Sequence, residues 1–148
     1  MLENKKIKNA TITKYKGIKF RSKLELMIYK VLEENNLNPQ YEPITHTLIE
    51  GWKPRVPFYR RNPKTRILSL EDKKIISVKY TPDIVFNWGK YTVYIEAKGM
   101  ENDVYYLKKK LFRWYLEDKN NSIFAEIKTK RELMSFLEIL KTDYNEKS

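Results

Sequence analysis

Cysteine is absent from the 148 residues, which excludes disulfides and thiolate zinc sites and fits a reducing compartment. There is one histidine, His46, which reads as a strand or loop residue rather than as a general base. No apolar run approaches the length of a membrane span, so no membrane-crossing helix is expected. The N-terminus is basic and polar, without the apolar stretch of a secretory signal, and a cytoplasmic location is expected. Nothing repeats internally, and no linker is long enough to divide domains. Acidic residues are outnumbered: 30 Lys and Arg face 19 Asp and Glu, a formal net charge of +11. That balance favours an anionic partner, nucleic acid before an anionic membrane surface.

What is present is a foldable chain. An apolar content of 41% and an aromatic content of 14% suit a single domain with a real core. Residues 1–19, rich in lysine, read as a basic arm with a short extended piece near Ala10 to Tyr15. The arm is either a solvated tail or a nucleic-acid contact. Ser22-Lys23-Leu24-Glu25 fits a capping box and opens a helix with Leu24, Met27, Ile28, Val31 and Leu32 on its apolar stripe. Asn35-Asn36 and Pro39 end it. Tyr41 to Ile49 reads as a first strand, interrupted by Pro43.

Residues 50–78 are basic and aromatic together: Trp52, Phe58 and Tyr59 interleave with Lys53, Arg55, Arg60, Arg61, Lys64 and Arg66. Such interleaving suits phosphate contacts with base stacking, or else a surface loop with its aromatics tucked inward. Arg66 to Leu70 and Lys74 to Val78 suggest a hairpin around residues 71–73. Further on, Val104 to Asp118 reads as a helix with Val104, Leu107, Leu111, Trp114 and Tyr115 buried. Ser122 to Ile127 is a fourth strand. Thr129 to Glu132 is a second capping box, opening a helix with Leu133, Met134, Phe136, Leu137 and Leu140 inward. Residues 144–148 are expected to fray.

The chemistry concentrates between Tyr80 and Gly99. From Tyr91, the residues Val93, Ile95 and Ala97 alternate with Thr92, Tyr94, Glu96 and Lys98, the period-two pattern of a half-buried strand. Ile84 to Phe86 forms the preceding strand, with Asn87 to Lys90 as the turn. That loop pairs Phe86 with Tyr91 and sets Asp83 opposite Tyr94. Glu96 is then a diagonal neighbour on the same face, roughly 7 Å away. Two carboxylates at that spacing can share one hard cation through oxygen, and Lys98 is next on that face. A one-residue slip in register would separate them. The alternatives are ordinary ones: Asp83 capping a turn, Glu96 with Lys98 as an exposed charge pair, and Glu25 serving only its helix cap.

Tyr80-Thr81-Pro82-Asp83, Glu96-Ala97-Lys98-Gly99 and the Ser22 to Glu25 helix start resemble the PD-(D/E)XK nuclease superfamily. The likeness is greatest to phage resolvases of the endonuclease I type and to related small phage nucleases. It covers roughly residues 17–127. It implies a mixed α/β fold of restriction-endonuclease type: an αβββαβ core over residues 20–143, a central mixed sheet flanked by helices, and an extra C-terminal helix. Residues 50–78 depart from endonuclease I, whose connection there is shorter. The resemblance also implies a Mg²⁺-dependent endodeoxyribonuclease, with Mn²⁺ able to substitute and no small-molecule cofactor. Its substrate would be branched DNA such as a Holliday junction, and it would act as a homodimer. A nicking, restriction-like or end-processing nuclease, or a nuclease-fold protein that binds without cutting, are the alternatives. In this frame Asp83, Glu96 and the Ala97 carbonyl hold the metal, Glu25 helps hold a second, and Lys98 serves the attacking water. Lys16, Lys19, Arg21, Lys23, Arg60, Arg61, Lys108, Lys109 and Arg113 are the expected DNA contacts.

Overall fold

The computed structural model describes residues 12–145, and among them are three helices and ten strands, a mixed α/β chain. They form two compact units. The larger joins the described residues up to Thr45 with those from Thr81 onward, and the smaller is His46–Tyr80.

The larger unit opens with a hairpin of β1 (Thr13–Tyr15) and β2 (Ile18–Phe20). Its turn is Lys16-Gly17, both at positive φ (50° and 80°), the two-residue loop whose twist matches that of paired strands. Residues 13–19 of the expected arm thus lie in this hairpin, with β1 where a short extended piece was expected, while residues 1–11 lie outside the described part. Tyr15 donates from its hydroxyl to Glu33 at 2.6 Å, and Lys16 pairs with Glu33 at 3.0 Å, which ties the hairpin to helix α1 (Lys23–Glu34). Ser22 caps α1 by accepting from the Glu25 N–H at 3.1 Å. Asn36, at φ 59°, turns the chain out of it toward β3 (Gln40–Tyr41).

The expected single strand from Tyr41 to Ile49 is two strands. Glu42 takes a positive φ of 45° and Pro43 offers no N–H, so the ladder stops at Tyr41. The second strand, β4 (His46–Ile49), belongs to the smaller unit and to a separate two-stranded sheet, where it pairs antiparallel with β7 (Val78–Tyr80) and His46 faces Tyr80. The hairpin of this unit is also displaced from expectation. It joins β5 (Tyr59–Arg61) to β6 (Leu68–Leu70), not residues 66–70 to 74–78. Asn62 decides this: its side chain accepts from the N–H groups of Lys64 and Thr65, and its backbone bonds to Arg66 and Ile67 close the loop. Ile75 instead bridges Trp52. Gly51 lies so close to that bridge that a Cβ would stand 2.6 Å from the Ile75 carbonyl oxygen.

The remaining elements are β8 (Ile84–Trp88), β9 (Tyr91–Ala97), α2 (Asp103–Leu116), β10 (Ser122–Ile127) and α3 (Lys130–Asp143). The larger unit's main sheet runs β10-β9-β8-β3, with β8 antiparallel to both neighbours and β10 parallel to β9. Helix α2 makes the crossover that a parallel pair requires. One sheet face, with Ile84, Phe86, Val93, Ile95 and Ile127, packs against Ile28, Val31 and Leu32 of α1 and Leu133, Leu137 and Leu140 of α3. The other face meets α2, where the Phe112 ring lies edge-on to Tyr94 (5.3 Å) and Phe124 (5.1 Å).

Helix α2 is rotated from its expected setting. Its buried residues are Tyr105, Phe112 and Leu116, whereas Val104, Leu107 and Trp114 are exposed. Two stripes of similar apolar content run along this helix. The one with Tyr105 and Phe112 wins because the sheet offers rings to Phe112 and a carboxylate to the Tyr105 hydroxyl. Nor does Tyr144 fray: its carbonyl accepts from the Trp88 indole at 2.9 Å, and its ring meets Tyr91 at 5.2 Å. The rotation has a direct test by urea unfolding. Phe112→Ala is expected to cost about 3–5 kcal/mol, and Trp114→Ala no more than about 0.5 kcal/mol. Equal losses would contradict this packing.

Candidate active site

The β8–β9 hairpin sets the site. Its turn is two residues, Gly89-Lys90, rather than the expected four, and Gly89 takes φ 55° at the first central position. Trp88 therefore pairs with Tyr91 and Ile84 with Ile95. The register is two residues away from expectation, so each side chain keeps its expected face. Continued by one step, it sets Asp83 opposite Glu96 rather than opposite Tyr94. Lys98 follows on the same face.

Local chemistry holds Asp83 at the ladder's end. Its backbone carbonyl accepts from the Glu42 N–H at 2.8 Å, which extends the pairing with β3. Its carboxylate accepts from the Ala97 N–H at 2.8 Å. Pro82, fully buried, has no N–H to continue the ladder. Asp83 thus does more than cap a turn, because its side chain bridges to the strand that carries Glu96.

Glu25 enters from α1. It is 5% exposed, and its carboxylate accepts from the Ser22 hydroxyl (3.2 Å) and the Tyr41 hydroxyl (3.4 Å). Glu132 makes the comparison: there the carboxylate folds back onto the Lys128 and Thr129 N–H groups and closes a complete capping box. Glu25 makes no such return and faces the cleft instead. Glu25, Asp83, Glu96 and Lys98 all line this cleft of about 390 Å³, together with Arg21 and Ala97.

Glu25 and Glu96 share the cleft with Asp83 and oppose its ionisation. Burial, followed by the charges of Glu96 and Glu25, pushes the Asp83 carboxyl up to about 9. The donor set is all oxygen, which suits Mg²⁺ or Mn²⁺. Among the described residues, no group of three or more His, Cys, Asp or Glu side chains is arranged to hold a metal ion by itself. Mg²⁺ keeps several waters and is commonly bound through one or two carboxylates.

Beside the cleft lies a second group that the sequence reading missed. The Lys98 ammonium sits over the Tyr105 ring, 4.0 Å from its centroid. Tyr105 donates its hydroxyl to Glu126 at 2.6 Å, and Lys109 pairs with Glu126 (3.0 Å) and Glu101 (3.5 Å). Burial, and then the bond to Glu126, raise the Tyr105 phenol beyond its ordinary range. The available signal was Glu126 itself, a lone charge in the otherwise apolar run of β10.

The expected DNA contacts separate. Lys19, Lys23 and Arg113 are exposed, and Lys108 is half-buried. Arg21 borders the cleft, paired with Glu42 at 3.4 Å. Lys16 is paired with Glu33. Lys109, with its side chain 18% exposed, is paired with Glu101 and Glu126. Arg60 and Arg61 are exposed on β5 of the smaller unit, Arg60 paired with Glu71. Among the described residues no helix is long and apolar enough to cross a membrane. Compared with known proteins, the chain matches no family model, no curated protein and no solved structure.

The raised Asp83 has a consequence for stability. The folded chain binds this proton more tightly than the unfolded chain does, so stability is full below about pH 4 and falls as pH rises toward about 9. In metal-free buffer, Asp83→Asn is expected to raise Tm at pH 8 and to flatten its fall from pH 5 to 8, because asparagine keeps an acceptor for the Ala97 N–H and removes the repulsion. Mg²⁺ should raise the wild-type Tm and leave that of the variant unmoved. A wild-type Tm unchanged between pH 5 and 8 would contradict the cluster.

Proposed function

We propose that this chain is a metal-dependent endodeoxyribonuclease of the PD-(D/E)XK superfamily. The observation that carries this reading is Asp83 set against Glu96 across the β8–β9 hairpin, with Lys98 next on the same face and Glu25 in the same cleft. The order of elements in the larger unit (helix, three strands, helix, parallel strand) supports it. So does the excess of positive charge, which suits a polyanionic substrate.

Asp83, Glu96 and the Ala97 carbonyl are the groups that would hold a first Mg²⁺ or Mn²⁺, and Glu25 would help hold a second. A bound divalent ion supplies Lewis acidity at a phosphate oxygen and lowers the pKa of a water. Lys98 orients that water and offsets the negative charge that grows on the phosphate as water adds to phosphorus and one ester bond breaks. Arg21, at the edge of the cleft, and the exposed Lys19 and Lys23 contact backbone phosphates, which fixes position without reading sequence. Branched DNA is the substrate class implied by the sequence resemblance. Two cuts in a symmetric junction need two sites, so the acting unit in this reading is a homodimer in the cytoplasm.

The test uses labelled four-way junction, plain duplex and single strand, each with Mg²⁺ or Ca²⁺. Junction cleavage with Mg²⁺ alone is expected. Asp83→Ala should abolish cutting while binding persists, and Lys98→Ala should slow it by about 10²–10³-fold. Equal cutting of plain duplex would remove the junction preference, and binding without any cutting would remove the nuclease. Lys19→Glu combined with Lys23→Glu should weaken binding and lower the salt slope by about 0.9 for each phosphate that is no longer neutralised. An unchanged slope would mean that the DNA-binding surface lies elsewhere.

A further inference from the structure

Lys98 is the terminal charge of a long, freely rotating side chain, yet in this cleft it has a seat. Its ammonium stands 4.0 Å from the centroid of the Tyr105 ring. That is well within the range where an aromatic face attracts a cation. The ring is itself fixed. Tyr105 is buried, its N–H is held by the Asn102 side chain at 2.8 Å at the start of α2, and its hydroxyl donates to Glu126 at 2.6 Å.

Glu126 is placed by the sheet rather than by the helix. In the parallel β9–β10 pair it is the register partner of Glu96, so both carboxylates stand on the face that α2 covers. A fourth carboxylate beside Glu25, Asp83 and Glu96 would worsen their repulsion. Here both of its oxygens are occupied, one by the Tyr105 hydroxyl and the other by the Lys109 ammonium at 3.0 Å. Lys109 is in turn paired with Glu101 at 3.5 Å.

We propose that Tyr105 is the positioning residue for Lys98: its ring holds the ammonium at the cleft, and Glu126, by taking the ring's hydroxyl, sets the angle of that ring. The inference rests on the role given to Lys98 above and adds what keeps Lys98 there. Two features set Tyr105 apart from an ordinary core aromatic. A core ring needs no cation on its face, and the nearby Phe112 fills the packing role against Tyr94 and Phe124. The platform also explains why α2 buries the stripe containing Lys109: Lys109 neutralises Glu126 and leaves that carboxylate as a fixed acceptor.

The experiment has one arm that does not depend on activity. In the NMR spectrum of lysine-labelled, metal-free protein, the ε-methylene protons of Lys98, assigned through Lys98→Arg, should be shifted upfield by the ring. The shift should persist in Tyr105→Phe and vanish in Tyr105→Leu. The second arm is single-turnover cleavage. Tyr105→Leu is expected to lower the rate roughly tenfold, with little change in DNA affinity, and Tyr105→Phe should recover most of that loss. Glu126→Gln should fall between them. Lack of an upfield shift in the wild type overturns the platform even if Tyr105→Leu proves unable to fold. A shift that vanishes in Tyr105→Leu without loss of rate overturns the positioning role. If the wild type cuts no DNA at all, the nuclease reading fails, and the NMR arm still decides whether Tyr105 holds Lys98.

Discussion

Mutual repulsion among carboxylates is the constraint around which the larger unit is organised. Asp83, Glu96 and Glu25 share one cleft, and each loses solvent that would otherwise screen it from the others. A fold with no use for that arrangement would place its acids apart, since an unneutralised cluster opposes folding. The chain keeps the three together by separate means. Asp83 is held by the Ala97 N–H, Glu25 by two hydroxyls, and Glu96 by its place near the end of β9, in register with Glu126 of β10. Rigid secondary structure holds the groups against their own repulsion, which is the preorganisation that binding and hydrolytic chemistry require.

The surroundings answer the same constraint. Glu126, placed beside Glu96 by the parallel register, would deepen the negative field if it were unpaired. Its bonds to Tyr105 and Lys109 take it out of play. One rotation of helix α2 accomplishes this, and the same rotation leaves Val104, Leu107 and Trp114 in solvent. Electrostatic satisfaction at one end of the helix and ring packing at Phe112 therefore select the same stripe, so the exposed apolar residues follow from a choice between two stripes rather than from an absence of packing.

Legibility differed by kind of information. The hairpin that carries Asp83, Glu96 and Lys98 could be read because strand alternation has a period of two: an error of two residues in loop length left every side chain on its expected face. The cap at Ser22, the box at Thr129 and the Leu133, Leu137 and Leu140 stripe of α3 were legible because each is specified by residues a few positions apart, whereas Met134, expected inward, is exposed. The setting of α2 was not, because Leu107 and Phe112 look alike to any local pattern. The path of residues 50–78 was not legible either, since the decisive residue was Asn62, whose side chain closes a loop that polar composition alone does not locate. Glu25 stood between these cases: its position was evident, but whether its carboxylate returned to the cap or faced the cleft depended on Tyr41.

The mixed α/β class, the positive charge, and the identity and face of the acidic pair with its lysine were already specified by the order of residues, because composition, capping and strand parity are local properties that survive small errors of register. Only folding in three dimensions settled which stripe of α2 turned inward, that Glu25 joined Asp83 and Glu96, and that Tyr105 and Glu126 came to stand beside Lys98. Those outcomes depend on partners distant in the chain (Glu25 and Asp83 are brought together by the sheet, Tyr105 and Glu126 by a crossover), and burial changes what a charged group can tolerate only once such partners have met.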